Sequence, residues 1–189
     1  MIGRLRGIVV TRRGDVVCVE VAGVGYEVTM TPRGLATLPG VGEEVVIHTH
    51  THVREDEMSL YGFGSEPDRD LFRVLLGAAG VGPKLAMAIS GTMNHDEIIR
   101  AIVTEDPDAL TVVPGVGKRG AQRIVLELAP KLSGIDPEMA GSSSTVTVRH
   151  ALEGLGYSGE EINAVMGELD PGSSIETQIK TALKALGRR

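Results

Sequence analysis

From Ile2 to Phe63 apolar and polar residues alternate with a period of two, in IGRLRGIVV, DVVCVEV, GYEVTM, EEVVIHTH and MSLYGF. These runs are rich in Val, Ile, Thr and Tyr, and RRGD, AGVG and TPRGLATLPGVG separate them with the Gly and Pro that favour turns. The pattern predicts five short strands with a short helical or irregular insert at 32–42. So small a sheet cannot cover its own edges, so closure into a barrel of the OB type is expected, with a small sandwich as the alternative. After Gly64 the period becomes helical, through DRDLFRVLLGAAG, PKLAMAIS, NHDEIIRAIVTED, PDALTVV and KRGAQRIVLELAPKL. Asn94 with Glu97 has the spacing of a capping box, and Asp106-Pro107 offers an N-cap followed by proline at the first helical position.

Ser133 to Thr145 (SGIDPEMAGSSST) has little to bury and reads as a flexible linker. Beyond it, TVTVRHALEGLGY, SGEEINAVMGEL and SSIETQIKTALKAL predict three short amphipathic helices, with Ser158/Glu161 and Ser173/Glu176 as capping boxes and Gly156 as a stop. The expected architecture is multidomain α+β. A barrel occupies 1–63, a helical domain 64–133, a linker 134–145 and a three-helix, UBA-like bundle 146–189.

The helical stretch repeats itself. LLGAAGVGPKLAMAI (75–89) and LTVVPGVGKRGAQRI (110–124) align at an offset of 35 residues, placing Leu75 on Leu110, Gly80-Val81-Gly82 on Gly115-Val116-Gly117, Lys84 on Arg119, Ala86 on Ala121 and Ile89 on Ile124. Each copy is a helix, a Gly-apolar-Gly turn and a second helix. Two glycines let the chain take positive φ and approach a bulky ligand, while the valine anchors the turn. The first amides of the next helix lie at the positive end of its dipole without intrahelical acceptors, so each turn can offer donors to a phosphate oxygen. Lys84, Lys118 and Arg119 sit in that first turn and Arg123 one turn on, within reach of flanking phosphates. A single copy is as easily a plain helix–helix turn; two copies with one apolar frame favour phosphate binding. Such contacts fix position on a nucleic acid without reading its bases.

Charge restricts where such binding can occur. Lys plus Arg total 19 and Asp plus Glu 25, a net −6, opposite to the usual sign of a DNA binder. Residues 1–63 carry 6 basic and 8 acidic side chains, 64–140 carry 8 and 11, and 141–189 carry 5 and 6, so only a locally basic face can hold phosphate. Aromatic residues make up 3% and Trp is absent, which leaves few rings for base stacking and directs any contact to the backbone. Cys18 is the one cysteine, in a strand pattern, so an internal disulfide is excluded. The short apolar run before Arg12 and Arg13 is too little for a signal peptide, and nowhere are there about 18 uninterrupted apolar residues. A soluble, cytoplasmic protein is expected.

Other motifs carry less. Gly115 to Gly120 satisfies GxGxxG, yet the fingerprint needs a preceding strand in a βαβ unit and an acid about 20 residues later on a second strand; LTVV passes as a strand in isolation, but its repeat partner is LLGA, and a helix and then the linker follow Gly120. No GxxxxGK[ST] occurs, so neither a P-loop nor a bound cofactor is expected. His48, His50 and His52 share one strand face, but three ligands along one extended strand rarely converge on an ion, so no metal is expected there. Arg54-Glu55-Asp56-Glu57 lies between the fourth and fifth strands as a charged hairpin tip. It is read as a solvated turn, as part of a metal nuclease needing further acids elsewhere, or as carboxylates that repel phosphates and keep strands apart.

Taken together, MIGRLRG, VREDEMSLYGF, LLGAAGVGPKLAMAI, LTVVPGVGKRGAQRIVLEL and ALEGLGY resemble, in order and spacing, the RuvA family, the Holliday-junction-binding subunits of the bacterial branch-migration machine. The tandem helix-hairpin-helix alone is shared with ligases, repair nucleases and polymerases; the barrel carrying VREDEMSLYGF is more selective. The resemblance covers the whole chain. It implies a non-catalytic homotetramer, one or two of which (an octamer) clasp a four-way junction held open and square in recombination and DNA repair. It also implies a third domain that docks on the ATPase RuvB, with the resolvase RuvC as a further candidate partner. By this resemblance Glu55 and Asp56 match an acidic pin near the junction centre. Gly80, Val81, Gly82 and Lys84, with Gly115, Val116, Gly117, Lys118, Arg119 and Arg123, match the duplex contacts. Leu152, Leu155, Tyr157 and Leu183 fall where the third domain meets RuvB, and equally where its own core is expected. Arg119 and Gly120 depart from a family pattern of a second lysine and a small non-glycine residue, and Gly120 costs about 1 kcal/mol of helix propensity. The alternatives are a junction- or flap-specific metal nuclease using Glu55 and Asp56, and a protein-interaction scaffold.

Overall fold

The computed structural model describes residues 1–132 and, further on, 148–149, 151–152, 154–157, 159–166, 169 and 175–187. Five strands form where the alternation placed them: β1 (Arg4–Arg13), β2 (Val16–Val21), β3 (Val24–Met30), β4 (Glu44–Val53) and β5 (Met58–Phe63). They close into a barrel in the order β1-β2-β3-β5-β4, with β1 returning to pair with β4. All ladders are antiparallel except β3 with β5, which is parallel. The OB-like barrel is therefore present and the sandwich is not. The inward side chains Leu5, Val9, Val17, Val19, Val28, Met30, Val45, Ile47 and Leu60 form its core. Gly62 is where β5 must come close to them, since a Cβ there would stand 2.5 Å from Val28 Cγ1 and 2.8 Å from Ile47 Cγ2. The insert is the short helix α1 (Pro32–Ala36), started by Thr31, whose Leu35 packs against the barrel core.

Helices α2 (Glu66–Leu75), α3 (Pro83–Thr92), α4 (His95–Val103), α5 (Pro107–Leu110) and α6 (Lys118–Leu132) follow. The expected caps form. Glu97 N donates to Asn94 Oδ1 at 2.8 Å while Asn94 N donates to Glu97 Oε2 at 2.7 Å, and Ala109 N donates to Asp106 Oδ1 at 3.2 Å. Barrel and helices make one compact unit, 1–132. Two residues of α2 join them. Phe72, fully buried, packs its ring against His50, Tyr61 and Phe63 with centroids 5.4, 5.5 and 4.9 Å away. Truncating such a buried ring costs about 3–5 kcal/mol. Arg69 donates to Gly3 O at 3.3 Å, and its guanidinium is balanced by Glu66 at 2.6 Å and Asp70 at 2.9 Å.

The second unit spans 133–189. The expected linker, and the capping residues Ser158 and Ser173, lie outside the described residues. Helical residues occur between 148 and 154, and α7 (Gly159–Met166) and α8 (Ile175–Leu186) follow. Val148, Leu152, Ile162, Val165, Met166 and Ala182 form the core. The first helical stretch stops at Gly156 as expected, with Tyr157 N donating back to Leu152 O at 3.2 Å.

Candidate nucleic-acid interface

The two Gly-Val-Gly turns fold alike, bond for bond. Val81 N donates to Ala78 O at 3.1 Å and Val116 N to Val113 O at 3.0 Å; Ala86 N donates to Gly82 O at 3.0 Å and Ala121 N to Gly117 O at 2.9 Å. The 35-residue offset of the sequence is thus kept in the hydrogen bonding. Val81 and Val116 are buried between the helices, whereas Gly80, Gly82, Gly115 and Gly117 are exposed. Gly80 has φ +86° and Gly115 φ +92°, the left-handed region in which a side chain is strained. Each turn is a corner with its apolar residue inside and its backbone outside.

The corners have donors to spare. Among the described residues the amides of Gly80, Gly82 and Lys84 meet no internal acceptor, nor do those of Gly115, Gly117, Lys118 and Arg119. Gly82 caps α3 with no side-chain bond, so nothing from the protein covers that helix start. Lys84, Lys118, Arg119 and Arg123 are exposed, and no ion pair engages them among the described residues. Each corner thus combines exposed amides that lack internal acceptors with exposed cations in the helix that follows, a set suited to phosphate oxygens.

The corners differ in how they are held. Ala79 N donates to Glu127 Oε2 at 2.7 Å, and Lys131 Nζ donates to Gly77 O at 3.2 Å, so two side chains of α6 grip the turn between α2 and α3. Sequence reasoning missed both residues. The one signal for them is the repeat's asymmetry: Gly77 stands where the second copy has Val112, and a Cβ at Gly77 would lie 2.9 Å from Lys131 Nζ.

Glu55 and Asp56 are the two exposed central residues of the hairpin between β4 and β5, closed by Arg54 N donating to Glu57 O at 2.8 Å. The Arg54 guanidinium turns back to His52 Nε2 at 3.2 Å, and neither acid has an ion-pair partner among the described residues. No three His, Cys, Asp or Glu side chains converge as ion ligands among the described residues. The histidine face instead packs. His50 lies against Phe72 and His52 edge-on to Tyr61, 6.5 Å between centroids. Burial, with Arg73 and His52 nearby, holds His50 below the ordinary imidazole pKa.

In the second unit Leu152 is fully buried, and Tyr157 and Leu183 are half-buried against the same core. Leu155 alone of the four is freely exposed, at 61%. No helix among the described residues is long and apolar enough to cross a membrane.

Comparison with known proteins gives three family matches: the RuvA N terminal domain over residues 1–62, the SAM-like helix-hairpin-helix tandem over 72–130 and the RuvA C-terminal domain over 148–187. Full-length relatives named Holliday junction branch migration complex subunit RuvA include those of Laribacter hongkongensis, 39% identical over the whole of both chains, and Bordetella parapertussis, 40% identical over the whole of both. The protein of that name from Pseudomonas fluorescens is 40% identical over 98% of this chain and all of its own. These relatives lend no support to a nuclease built on Glu55 and Asp56.

Proposed function

Because this chain belongs to the RuvA family, we propose that it binds four-way DNA junctions by shape, through backbone phosphates held at its two glycine corners. It is a subunit of the branch-migration complex, with a helix-hairpin-helix tandem for DNA. The observation that carries the reading is the matched pair of exposed corners, with amides free of internal acceptors and cations in the next helical turn. A junction has four arms and no unique sequence, so a tetramer with two phosphate grips per subunit suits it. Because the contacts are to phosphates, each base-pair step exchanges equivalent bonds, and a motor can draw duplex through without breaking sequence-specific ones. Glu55 and Asp56, held bare at their hairpin tip, would repel phosphates at the centre and keep strands apart.

In this reading the chain has no ATPase or nuclease site of its own. It loads the RuvB ATPase onto the junction in the cytoplasm, and RuvC joins the assembly. Of Leu152, Leu155, Tyr157 and Leu183, Leu155 is the one freely exposed and so free to meet RuvB, while Leu152 belongs to the core.

A gel shift comparing four-way with linear duplex DNA, with Mg²⁺ added afterwards and RuvB ATPase measured in parallel, tests the reading. Preferential junction binding without cleavage, and RuvB stimulation that Leu155→Asp removes, are expected. Nicking would point to the nuclease, and no shift to a scaffold that has lost DNA.

A further inference from the structure

We propose that Glu127 and Lys131 are positioning residues: they fasten the first glycine corner to the helix that carries the second, and so set the spacing of the two phosphate grips. The inference rests on the junction-binding reading. Helix α6 begins at the second corner with Lys118 and Arg119 and runs back past the first. About two turns past Arg119 the Glu127 carboxylate accepts from Ala79 N in the α2–α3 turn at 2.7 Å, and about three turns past it Lys131 donates to Gly77 O at 3.2 Å. These bonds join residues 48 and 54 positions apart and bracket Ala78, two residues before Gly80. One fixes an amide and the other a carbonyl, so the turn is held against both rotation and translation. Glycine at 77 leaves room for that contact, since a Cβ there would stand 2.9 Å from Lys131 Nζ and 3.1 Å from Val74 O.

Glu127 is an acid beside a surface meant for phosphate, so on charge alone it should weaken binding. Its acceptor oxygen gives it a reason to be there. Apart from Lys131, whose ammonium is engaged with Gly77 O, the first corner has one cation, Lys84, against Lys118, Arg119 and Arg123 at the second. A grip with so little charge depends more on its amides being aimed, and aim is what a carboxylate bonded to Ala79 N supplies.

The experiment measures affinity of the full chain for a synthetic four-way junction in Glu127→Ala, Glu127→Gln, Lys131→Met, Lys84→Ala, Arg119→Ala and the double variants, with thermal melts. Glu127→Ala should lose roughly 5-fold in affinity at an unchanged Tm, Lys131→Met roughly 3-fold, and Glu127→Gln, which keeps the acceptor, less than about 2-fold. Because Glu127 acts through the first corner, its loss should add little to Lys84→Ala and should add fully to Arg119→Ala. Amide exchange at Ala79 in the free protein should quicken in Glu127→Ala only. Wild-type affinity in Glu127→Ala, tighter binding in both Glu127 variants, or full additivity with Lys84→Ala would overturn the positioning role while the functional reading stands. Should the wild-type chain fail to prefer the junction, the functional reading falls and the role in DNA binding falls with it.

Discussion

The two glycine corners share a backbone and differ in everything around it. The first is sparsely charged and externally braced, with Lys84 as its cation and Glu127 and Lys131 of α6 bonded to its turn. The second is densely charged and self-supporting: Lys118, Arg119 and Arg123 surround it, and no α6 side chain clasps it among the described residues. On the proposed reading, one motif would hold a phosphate in two ways, by charge or by aim. The hydrogen bonds that define the turn recur at the 35-residue offset, whereas the side chains that tune it do not.

If the second corner works by charge, removing its charge should have the largest effect. Lys118→Ala with Arg119→Ala should lower junction affinity by about 30-fold, equally across sequences, and reduce the slope of log affinity against log salt by about 2. An unchanged slope in a salt titration would remove phosphate contact from the second corner.

Next in size is the backbone. Gly115→Val places a branched side chain at φ +92° with Leu85 Cδ1 already 3.5 Å from the Cβ position, so it should cost about 1–3 kcal/mol and weaken binding by about 10-fold. Gly80→Val meets the same strain at φ +86° but finds open space around the Cβ. Melts and affinities showing Gly80→Val to be the worse of the two would reverse this ranking.

The smallest effect concerns the helix leading into the first corner. Asp68, in the first turn of α2, is held below the ordinary carboxylate pKa by hydrogen bonding toward His95 and by Ser65 Oγ at 2.6 Å, against the opposing effect of its partial burial. The His95 Nδ1 atom stands 3.4 Å from Asp68 Oδ1. A lowered folded-state pKa means that the stabilisation is present above the unfolded pKa and fades as pH falls through the folded value. Asp68→Asn should therefore melt about 1–3 °C below wild type at neutral pH, the carboxylate being half exposed, and the gap should close below about pH 4. A gap that widens in acid would refute the assignment.

The sequence makes the repeated features legible and hides the singular ones. Alternation located all five strands because buried side chains such as Val17 and Val19, Val28 and Met30, and Val45 and Ile47 stand two apart, and the repeat located both corners because its valines and glycines recur. Closure of the barrel through β1 and β4, and the parallel pairing of β3 with β5, are long-range matters on which a period of two is silent. The histidines at 48, 50 and 52 are visible as one face, but what covers His50 is Phe72, on a helix that begins after the barrel ends. Glu127 and Lys131 were passed over because their partners are backbone atoms some 50 residues away. Leu152 and Leu155 look equivalent in the sequence and are separated only by helical phase, one facing the core and the other water.

The seat of α2 on the barrel bears on what would happen if, as proposed, duplex is drawn across the corners. Drag on the first turn travels along α2 and arrives at Phe72, wedged among His50, Tyr61 and Phe63, and at Arg69, tied to Gly3 O. Close-packed interiors deform little and hand load onward. The barrel, rather than a hinge, then takes up the recoil of a moving strand, so loosening Phe72 should make the grip slip before it makes it weak.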